Sequence, residues 1–423
     1  MGKKMINVTF SDIGGDVDAP PSKSYMQRYA LLSSFLDGSI KIINPGFSDD
    51  DLVSISVAES CGKTVSRDDG NIVIQGRFRK PAVINAKESG TSFRLVQGLL
   101  ASTRSTTRIF LGKSLMARPM NPLVSALSPH GYLYSRMEDS VLIDASQFSC
   151  PDSFEIDGSV SSQFISSLMF CLAMSRKEHG TIHIGNGISS EGYIHITSRI
   201  LQDFGCRIQT GNTITVNSPG MILPEEARIE GDYSSSAFLL VMGILLSDRG
   251  ITVRKLPANS FQPDMQILEI LRKYLKIRKY GDLMDITAFR QDTGRIVIDV
   301  GRTPDLAPPL SVLGMFSEEG IEIKNPLRLR TKESDRYGAI IELARSTGAV
   351  VELDDDSLVI RRGNAERARD LPERDDHRIV MAKFLASSVI GKRFQVHFQK
   401  SVNKSFPEFW DYAAKLGFRI DLK

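Results

Sequence analysis

The stretch PPSKSYMQRYALLSSFL, residues 20–36, places two prolines, two serines, a lysine and an arginine directly before a run of mostly apolar residues. Such a run, apolar nearly all round, is typical of a buried helix. Proline cannot occupy a helix interior, so the helix begins after the proline pair, and Ser22 or Ser24 can cap it. The exposed first turn, with Lys23 and Arg28 beside it, therefore has the outline of an anion site.

This pattern recurs along the chain. Six segments open with small or polar residues, then become strongly apolar, and follow one another at roughly 70 residues. They are residues 22–36, 90–101, 161–174, 234–246, 304–316 and 376–390. An amphipathic segment follows each of them, at residues 49–62, 121–131, 193–205, 263–276, 333–348 and 406–417. Short β-rich pieces such as TIHIGNG and RIVIDV lie between the segments, so the sequence predicts a strand and helix unit repeated six times.

The two helix series predict how each unit packs. The apolar helices should be buried and the amphipathic ones should face water, with sheets on the outside of an inner helix layer. Six units divide into three plus three, and the natural boundaries are the Pro20–Pro21 pair and the turn at Glu230 and Gly231. We therefore predict an α/β protein with one lobe at 21–229 and a second formed by 1–20 plus 230–423.

Composition limits the functions to consider. The chain has 423 residues, 41% hydrophobic, and a net charge of +3 from 53 basic and 50 acidic residues, which leaves no basic field for nucleic acid. Its four cysteines are far apart without metal-ligand spacing, so we expect reduced thiols and no metal. The longest apolar run, residues 237–246, is too short to span a bilayer, and the N-terminal stretch does not resemble a signal peptide. We expect a cytoplasmic monomer that binds neither nucleic acid nor a membrane.

The starts of the six apolar helices carry candidate ligand groups. A helix start without proline or apolar residues leaves N–H donors and the positive end of the helix dipole open to an anion. In the first lobe these starts hold Lys23, Ser24, Arg28, Gly90, Thr91, Ser161, Ser162 and Gln163, and in the second they hold Asp305, Asp376, His377 and Arg378. Further cations precede the amphipathic helices, namely Arg118, Lys332, Arg336 and Lys404. If the helix starts turn the same way they converge on one cleft, where a polyanionic ligand would neutralise two mutually repelling positive faces.

At this point the motifs resemble those of the 5-enolpyruvylshikimate 3-phosphate synthase family over nearly the whole chain. They are PPSKSYMQR, SGTSFR, LMARPMNPLVSAL, GSVSSQF, SEGY, EGDYSSSAF, TPDLAPPL, TKESDR, DDHR and NKSFP. The resemblance implies an inside-out α/β barrel of two domains, each with three βαβαββ units. It also implies transfer of the enolpyruvyl group of phosphoenolpyruvate to the 5-hydroxyl of shikimate 3-phosphate, by addition and elimination, on the way to chorismate and aromatic amino acids. No cofactor and no metal are implied.

The resemblance also assigns residues. Shikimate 3-phosphate is expected at Lys23, Ser24, Arg28, Ser161, Ser162, Gln163, Ser190, Tyr193, Asp305, Arg328 and Lys332. Phosphoenolpyruvate is expected at Lys23, Gly90, Arg118, Gln163, Arg336, Arg378 and Lys404. The expected catalytic groups are Asp305 as the base near the hydroxyl, with Glu333 and Lys23 as proton donors.

Three features depart from the family pattern. Glu88 stands where the family usually has Asn, so a carboxylate lies beside the expected phosphoenolpyruvate site and is expected to weaken binding. Arg328 replaces a usual Asn and adds a cation that either contacts the shikimate phosphate or points to solvent. A proline pair precedes the SKS motif where Pro-Gly is usual. Gly90 leaves its helix start uncrowded, and by the resemblance the phosphonate glyphosate is expected to inhibit.

Other interpretations stay open at this stage. SKS and GTS can be simple helix caps, KESDR a solvated helix start, EGDYSSS a hinge, and His377 a structural histidine. A related enzyme moves the same group to UDP-N-acetylglucosamine, but it generally carries a cysteine ahead of its ARP motif, and LGKSLMARP has none. An anion-binding or RNA-processing relative without catalysis would lack the matched acid, base and cation set. A catalytically inactive member is the third alternative, and Glu88 is the feature that favours it.

Overall fold

The computed structural model describes residues 4–354, 356–364, 371–372, 374–398 and 400–422. Within these ranges the strands are β1 (Lys4–Thr9), β2 (Gly15–Asp18), β3 (Gly38–Ile43), β4 (Thr64–Asp68), β5 (Asn71–Gly76), β6 (Val83–Lys87), β7 (Thr106–Leu111), β8 (Leu133–Arg136), β9 (Ser140–Asp144), β10 (Ser153–Asp157), β11 (Gly180–Gly185), β12 (Arg207–Gln209), β13 (Thr213–Asn217), β14 (Glu226–Arg228), β15 (Ile251–Pro257), β16 (Leu275–Tyr280), β17 (Leu283–Ala288), β18 (Ile296–Asp299), β19 (Ile321–Lys324), β20 (Val350–Leu353), β21 (Ser357–Arg361), β22 (Arg393–Phe398) and β23 (Arg419–Leu422).

The helices alternate with these strands. They are α1 (Lys23–Ser34), α2 (Asp49–Ser60), α3 (Gly90–Ser102), α4 (Lys113–Met116), α5 (Asn121–Leu127), α6 (Ser162–Met174), α7 (Gly192–Asp203), α8 (Tyr233–Leu246), α9 (Ile267–Ile270), α10 (Ala307–Phe316), α11 (Arg336–Ser346), α12 (His377–Ile390) and α13 (Phe409–Lys415). None of the described helices is both long and apolar enough to cross a membrane.

The chain divides into two compact units. One is residues 21–230, here called the central unit, and the other joins residues 1–20 to 231–423, here called the terminal unit. Each unit has its own hydrophobic core, and the predicted α/β class with repeated strands and helices is confirmed. The four cysteines are free; Cys61, Cys171 and Cys206 are buried and Cys150 is half-buried.

The sheets of the central unit share one topology. In the sheet ordered β10-β11-β13-β12, a parallel pair of strands continues into antiparallel neighbours, as a βαβαββ unit requires. The sheet β6-β7-β9-β8 is built the same way. The third sheet, β14-β3-β5-β4, takes its first strand from the far end of the unit, because β14 pairs in parallel with β3.

The terminal unit completes its sheets from both chain ends. In the sheet β16-β17-β15-β2, strand β2 from the N-terminal segment pairs in parallel with β15. The sheet β18-β19-β21-β20 is contiguous in sequence. The sixth sheet, β22-β1-β23, has three strands among the described residues, with the N-terminal strand β1 antiparallel between the two others.

Burial separates the two helix series as predicted. In α6, eleven of thirteen residues are buried, and in α8 twelve of fourteen are buried, whereas α7 and α11 bury six of twelve and six of eleven. Strand β6 alternates between exposed and buried positions, so one sheet face covers the helices and the other faces water. The inner helices approach closely: a Cβ at Gly98 of α3 would lie 1.9 Å from the carbonyl oxygen of Ser167 in α6, so only glycine fits there.

One predicted helix is wrong in extent. The segment 263–276 forms a 3-10 turn at Pro263–Gln266 and then only the short helix α9, which ends at Ile270. Residues from Leu275 onward instead form β16, whose backbone pairs with β17 in antiparallel register. Sheet pairing outweighs the helical pattern of the local sequence at this point.

Candidate active site

The first helix start of the central unit is built around Lys23. Ser22, one of the two predicted capping residues, occupies the N-cap position of α1, but its side chain makes no capping hydrogen bond. The Ser22 hydroxyl is buried and has no hydrogen-bond partner among the described residues. The Lys23 ammonium lies 2.8 Å from a carboxylate oxygen of Asp50 at the start of α2. The lysine is therefore held at the open end of α1 by a neighbouring helix.

Arg28 lies one turn further into α1 and is almost completely buried. Its guanidinium donates to three neutral oxygens: the Thr197 hydroxyl at 2.8 Å, the Ser24 carbonyl at 2.9 Å and the Tyr193 carbonyl at 3.4 Å. Burial lowers the pKa of Arg28 to about 10. The residue is still charged at neutral pH, and no carboxylate in the described part of the chain is paired with it.

The helix starts of α1, α3 and α6 are joined by buried hydrogen bonds. Gln27 donates from its side-chain amide to the hydroxyls of Ser89 and Ser92, at 2.9 and 3.0 Å, which ties α1 to the start of α3. Gln163 donates to the Thr91 hydroxyl at 2.9 Å, and its own amide oxygen accepts from Arg94 at 2.7 Å, which ties α3 to α6. Convergence of the three helix starts is therefore observed within the central unit.

The remaining predicted residues of this unit lie at the same ends. Ser161 is the N-cap of α6, where its hydroxyl accepts from the Gln163 backbone N–H at 3.3 Å, and Ser162 is buried beside it. Ser190 adopts a positive φ of 56°, unusual for a residue other than glycine, immediately before α7, and Tyr193 is in the first turn of that helix. The central unit thus gathers its predicted ligands at the ends of four helices.

Arg118 follows the short helix α4. Its backbone N–H donates to the Leu115 carbonyl at 3.1 Å, and its guanidinium lies against the first residue of α3, since a Cβ at Gly90 would be 3.0 Å from Nη1. Glu88, which departs from the family pattern, accepts hydrogen bonds from the backbone N–H groups of Ser114 and Leu115. Gly90 and Arg118, two of the predicted phosphoenolpyruvate contacts, are therefore adjacent.

In the terminal unit the site is an ion network around Arg336. The guanidinium is 1% exposed and donates to three carboxylates: Asp305 at 2.8 Å, Glu333 at 2.6 Å and Asp376 at 2.9 Å. Burial alone would lower the pKa of Arg336, but these carboxylates raise it instead. Arg336 begins α11, while Asp305 lies in the 3-10 turn before α10 and Asp376 caps α12. Two consecutive repeats of the terminal unit, the fifth and the sixth of the chain, therefore meet at one guanidinium.

Arg378 extends this network. Its Nη2 donates to the second oxygen of Asp305 at 2.9 Å, while Nε and Nη1 are buried and have no hydrogen-bond partner in the described part of the chain. Burial would raise the pKa of Asp305, yet Arg378 and Arg336 outweigh it and hold the pKa at about 2. The prediction of a positive face that only a ligand neutralises is therefore wrong at Arg336 and Arg378, because carboxylates of the protein already pair with both side chains.

The other predicted residues of the terminal unit flank the network. Lys332 is half-buried between the 3-10 turn Pro326–Thr331 and α11, and its charge contributes to lowering the pKa of Asp305. Arg328 is exposed within that turn, and Lys404 is half-buried at the end of the turn Lys400–Lys404. His377 is buried at the start of α12, with Nδ1 3.8 Å from Asp376. No group of three or more His, Cys, Asp or Glu side chains with the arrangement of a metal site occurs among the described residues.

Sequence reasoning missed several residues that build the site. Asp50 binds Lys23, Gln27 ties α1 to α3, and Thr197 accepts a hydrogen bond from Arg28. None of the three residues was singled out from the sequence. Gln27 offered a signal, since it is a polar residue in a helix that the sequence predicts to be buried. In the terminal unit, Asp264 is buried against the Ser234 hydroxyl, and its pKa is raised to about 7 by burial and by the neighbouring charge of Asp305.

The fold first places the chain in a class. A solved structure of EPSP synthase from Acinetobacter baumannii has the same fold, at a TM-score of 0.79 and 19% identity, and the match covers 99% of this chain and 100% of the other. The enolpyruvyl transferase NikO from Streptomyces tendae has the same fold, at a TM-score of 0.76 and 15% identity, with 99% of each chain covered. The chain therefore has the fold of these two solved proteins.

The sequence comparisons then define the family. The family model for EPSP synthase (3-phosphoshikimate 1-carboxyvinyltransferase) matches residues 9–412. A 3-phosphoshikimate 1-carboxyvinyltransferase of Picrophilus torridus is 38% identical over 96% of this chain and 97% of its own length. One from Methanocaldococcus jannaschii is 34% identical over 97% of both chains. The chain belongs to the EPSP synthase family, and the family prediction is confirmed.

Proposed function

We propose that this chain transfers the enolpyruvyl group of phosphoenolpyruvate to the 5-hydroxyl of shikimate 3-phosphate and releases phosphate, as an enolpyruvyl transferase of the shikimate pathway. Family membership and the full-length match to 3-phosphoshikimate 1-carboxyvinyltransferases support the reaction. The structural observation that carries the proposal is Asp305, a carboxylate held between the guanidinium groups of Arg336 and Arg378. A base and anion-binding cations are what this chemistry requires.

In the central unit, the proposed roles follow the geometry of the helix starts. Arg28 is a buried cation bonded to neutral oxygens only, so it can bind an anionic group of shikimate 3-phosphate without first losing a carboxylate partner. The same substrate is oriented by neighbouring hydroxyl, amide and phenol groups, which belong to Ser24, Ser161, Ser162, Gln163, Ser190 and Tyr193. Lys23, Gly90, Arg118 and Gln163 bind phosphoenolpyruvate.

In the terminal unit, Arg336, Arg378 and Lys404 are proposed to bind phosphoenolpyruvate, while Asp305, Lys332 and Arg328 contact shikimate 3-phosphate. With its pKa at about 2, Asp305 is a weak base as long as both arginines are bonded to it. An anionic substrate that takes over these guanidinium groups removes that stabilisation and raises the pKa of Asp305 toward the range useful for proton abstraction. Substrate binding therefore prepares the base.

The proposed reaction conserves protons in two steps. The oxygen of the 5-hydroxyl forms a bond to C2 of phosphoenolpyruvate, its proton passes to Asp305, and a proton from Lys23 or Glu333 adds to the methylene carbon. In the tetrahedral adduct, the bond from C2 to the phosphate oxygen then breaks, the leaving phosphate takes the proton that Asp305 had accepted, and the methyl group returns one proton to the donor. Cationic side chains stabilise the negative charge on the substrates in both steps.

The test combines purified protein with phosphoenolpyruvate and shikimate 3-phosphate and follows phosphate release together with formation of the enol ether. We expect release that depends on both substrates. Turnover of UDP-N-acetylglucosamine in place of shikimate 3-phosphate would transfer the chain to the related enzyme class. Binding of phosphoenolpyruvate without any release would identify an inactive anion-binding relative.

For location and assembly, we propose a cytoplasmic monomer without nucleic-acid or membrane partners. The near balance of 53 basic and 50 acidic residues supports the absence of nucleic-acid and membrane partners, because it provides no extended positive field for a polyanion. Light scattering on the purified protein should give a mass near 46.9 kDa, and a multiple of that value would contradict the monomer.

A further inference from the structure

Glu88 lies between β6 and α3, and its carboxylate accepts two backbone N–H groups of α4. Oε1 accepts the backbone N–H of Ser114 at 3.1 Å, and Oε2 accepts that of Leu115 at 2.9 Å. These are the second and third amides of α4, whose N-cap is Gly112. Because a glycine N-cap supplies no side chain to these amides, the carboxylate of Glu88 caps α4 from a different part of the chain.

The backbone on both sides is shaped for this contact. A Cβ at Gly112 would lie 2.1 Å from Oε1 of Glu88, so the carboxylate can approach only because this position is glycine. Gly112 also donates its backbone N–H to the Lys87 carbonyl at 2.6 Å, and Lys87 has a positive φ of 46°. Lys87 at the end of β6 and Glu88 directly after it thus hold the segment that follows β7.

The amides that Glu88 holds belong to the two residues that contact Arg118. The Leu115 carbonyl accepts the backbone N–H of Arg118 at 3.1 Å, and the Ser114 hydroxyl lies 3.4 Å from its Nη2. The Nε of Arg118 is buried without a partner in the described ranges. We propose that Glu88 is a positioning residue, which fixes α4 so that the guanidinium of Arg118 stays at the start of α3.

This inference rests on the proposed function, in which Arg118 binds phosphoenolpyruvate, and it reverses the expectation that the Glu88 charge weakens binding. A carboxylate accepts both N–H groups at once, whereas an amide of the same shape has one acceptor oxygen and turns its NH2 toward the other N–H. If repulsion of the substrate dominated, Glu88→Gln would lower the KM for phosphoenolpyruvate. If positioning dominates, the same change raises it.

The first experiment is steady-state kinetics on the full chain. We expect Glu88→Gln to raise the KM for phosphoenolpyruvate roughly tenfold while the KM for shikimate 3-phosphate changes by less than about twofold. Adding Glu88→Gln to Arg118→Ala should have no further effect, because the action passes through Arg118. The matched control is Asp144→Asn, which loses a comparable bond to the backbone N–H of Ser146 in the same unit. A lower KM, or an equal effect on both substrates, would overturn the proposal.

A second readout does not depend on activity. Amide hydrogen exchange of the peptide spanning 112–118 should be about tenfold faster in Glu88→Gln than in wild type, and unchanged in Asp144→Asn. If wild type does not turn over the two substrates, the proposed function fails while the exchange result still decides whether Glu88 holds α4. Equal exchange in wild type and Glu88→Gln would show that it does not.

Discussion

The two units hold their buried arginines in opposite ways. Arg28 in the central unit donates to three neutral oxygens, and burial lowers its pKa to about 10. Arg336 in the terminal unit donates to three carboxylates, which raise its pKa despite burial. A cation among neutral dipoles gains its first counter-charge from a ligand, whereas a paired cation exchanges one anion for another. Although both units are built from the same kind of repeat, Arg28 of the central unit can bind an anion directly, whereas an anion that binds Arg336 of the terminal unit must compete with the protein's own carboxylates.

The largest expected effect breaks the central unit's side of this comparison. Lys23→Met should lower turnover on the order of 10³-fold, since it removes a proposed proton donor and substrate contact. The fold should stay intact, as judged by circular dichroism, because the side chain lies at the open end of α1. The matched control is Lys41→Met, which loses an exposed ion pair to Asp68 in the same unit and should retain wild-type turnover. Unchanged activity of Lys23→Met would remove the role assigned to this residue.

The next effect measures the two arginine environments directly. Arg336→Met removes one counter-charge from three carboxylates, of which Asp305 keeps Arg378, and should destabilise the terminal unit by about 3–5 kcal/mol. Arg28→Met leaves only neutral acceptors unpaired and should destabilise the central unit by about 1–3 kcal/mol. Hydrogen exchange resolved by peptide gives each unit separately, which a single unfolding curve of a two-unit protein does not. Equal losses in the two variants would mean that the carboxylates do not distinguish the units.

A fully buried carboxyl with a raised pKa lies in each unit, Asp51 in the central unit and Asp264 in the terminal unit, which extends the comparison to pH dependence. Burial raises the pKa of Asp51 in the central unit and of Asp264 in the terminal unit to about 7. Between the unfolded value of about 4 and the folded value, the folded state binds more protons, so stability falls as pH rises through this window. Each group contributes at most a few kcal/mol to this fall.

Neutral isosteres test that assignment. Asp51→Asn should flatten the decline in amide protection between pH 4 and 7 in the central unit only, and Asp264→Asn should do so in the terminal unit only. Protection of both units followed across this range gives the answer. A decline that persists unchanged in both variants would assign the pH dependence to other groups.

The sequence predicted those parts of the site that depend on helix starts. Lys23, Gly90, Ser162 and Asp376 were found because capping residues and apolar periodicity are local signals, and the repeat showed that they are equivalent positions. Their partners could not be found in this way. Asp50 reaches Lys23 across 27 residues within one repeat, and Thr197 reaches Arg28 across 169 residues between repeats; in both cases only tertiary packing brings the partners together.

The fold shows the same division. The order of strands and helices followed from their patterns. Strands β14 and β2, however, each join a sheet whose other strands lie far away in the sequence, and the local pattern does not encode that pairing. The helix prediction for residues 263–276 was wrong for a related reason, because strand pairing of Leu275 with Ala288 outweighs the helical spacing of apolar residues there. Glu88 was interpreted from its charge alone, and its direction, toward the amides of α4, decides its effect.

The smallest effect tests whether a cation in the central unit is held by steric fit as well as by hydrogen bonds. A Cβ at Gly90 would lie 3.0 Å from Nη1 of Arg118 and 3.6 Å from Leu115, so Gly90→Ala displaces the flexible guanidinium without disturbing the backbone. We expect the inhibition constant of glyphosate to rise by about tenfold, equivalent to about 1.4 kcal/mol, while shikimate 3-phosphate binding is retained. Gly211→Ala is the control, because its Cβ would meet only an ordinary contact at 3.7 Å. Arg336 is fixed by three ion pairs and has no such dependence on a neighbouring glycine, so equal inhibition constants for wild type and Gly90→Ala would mean that Arg118, too, is held by its bonds alone.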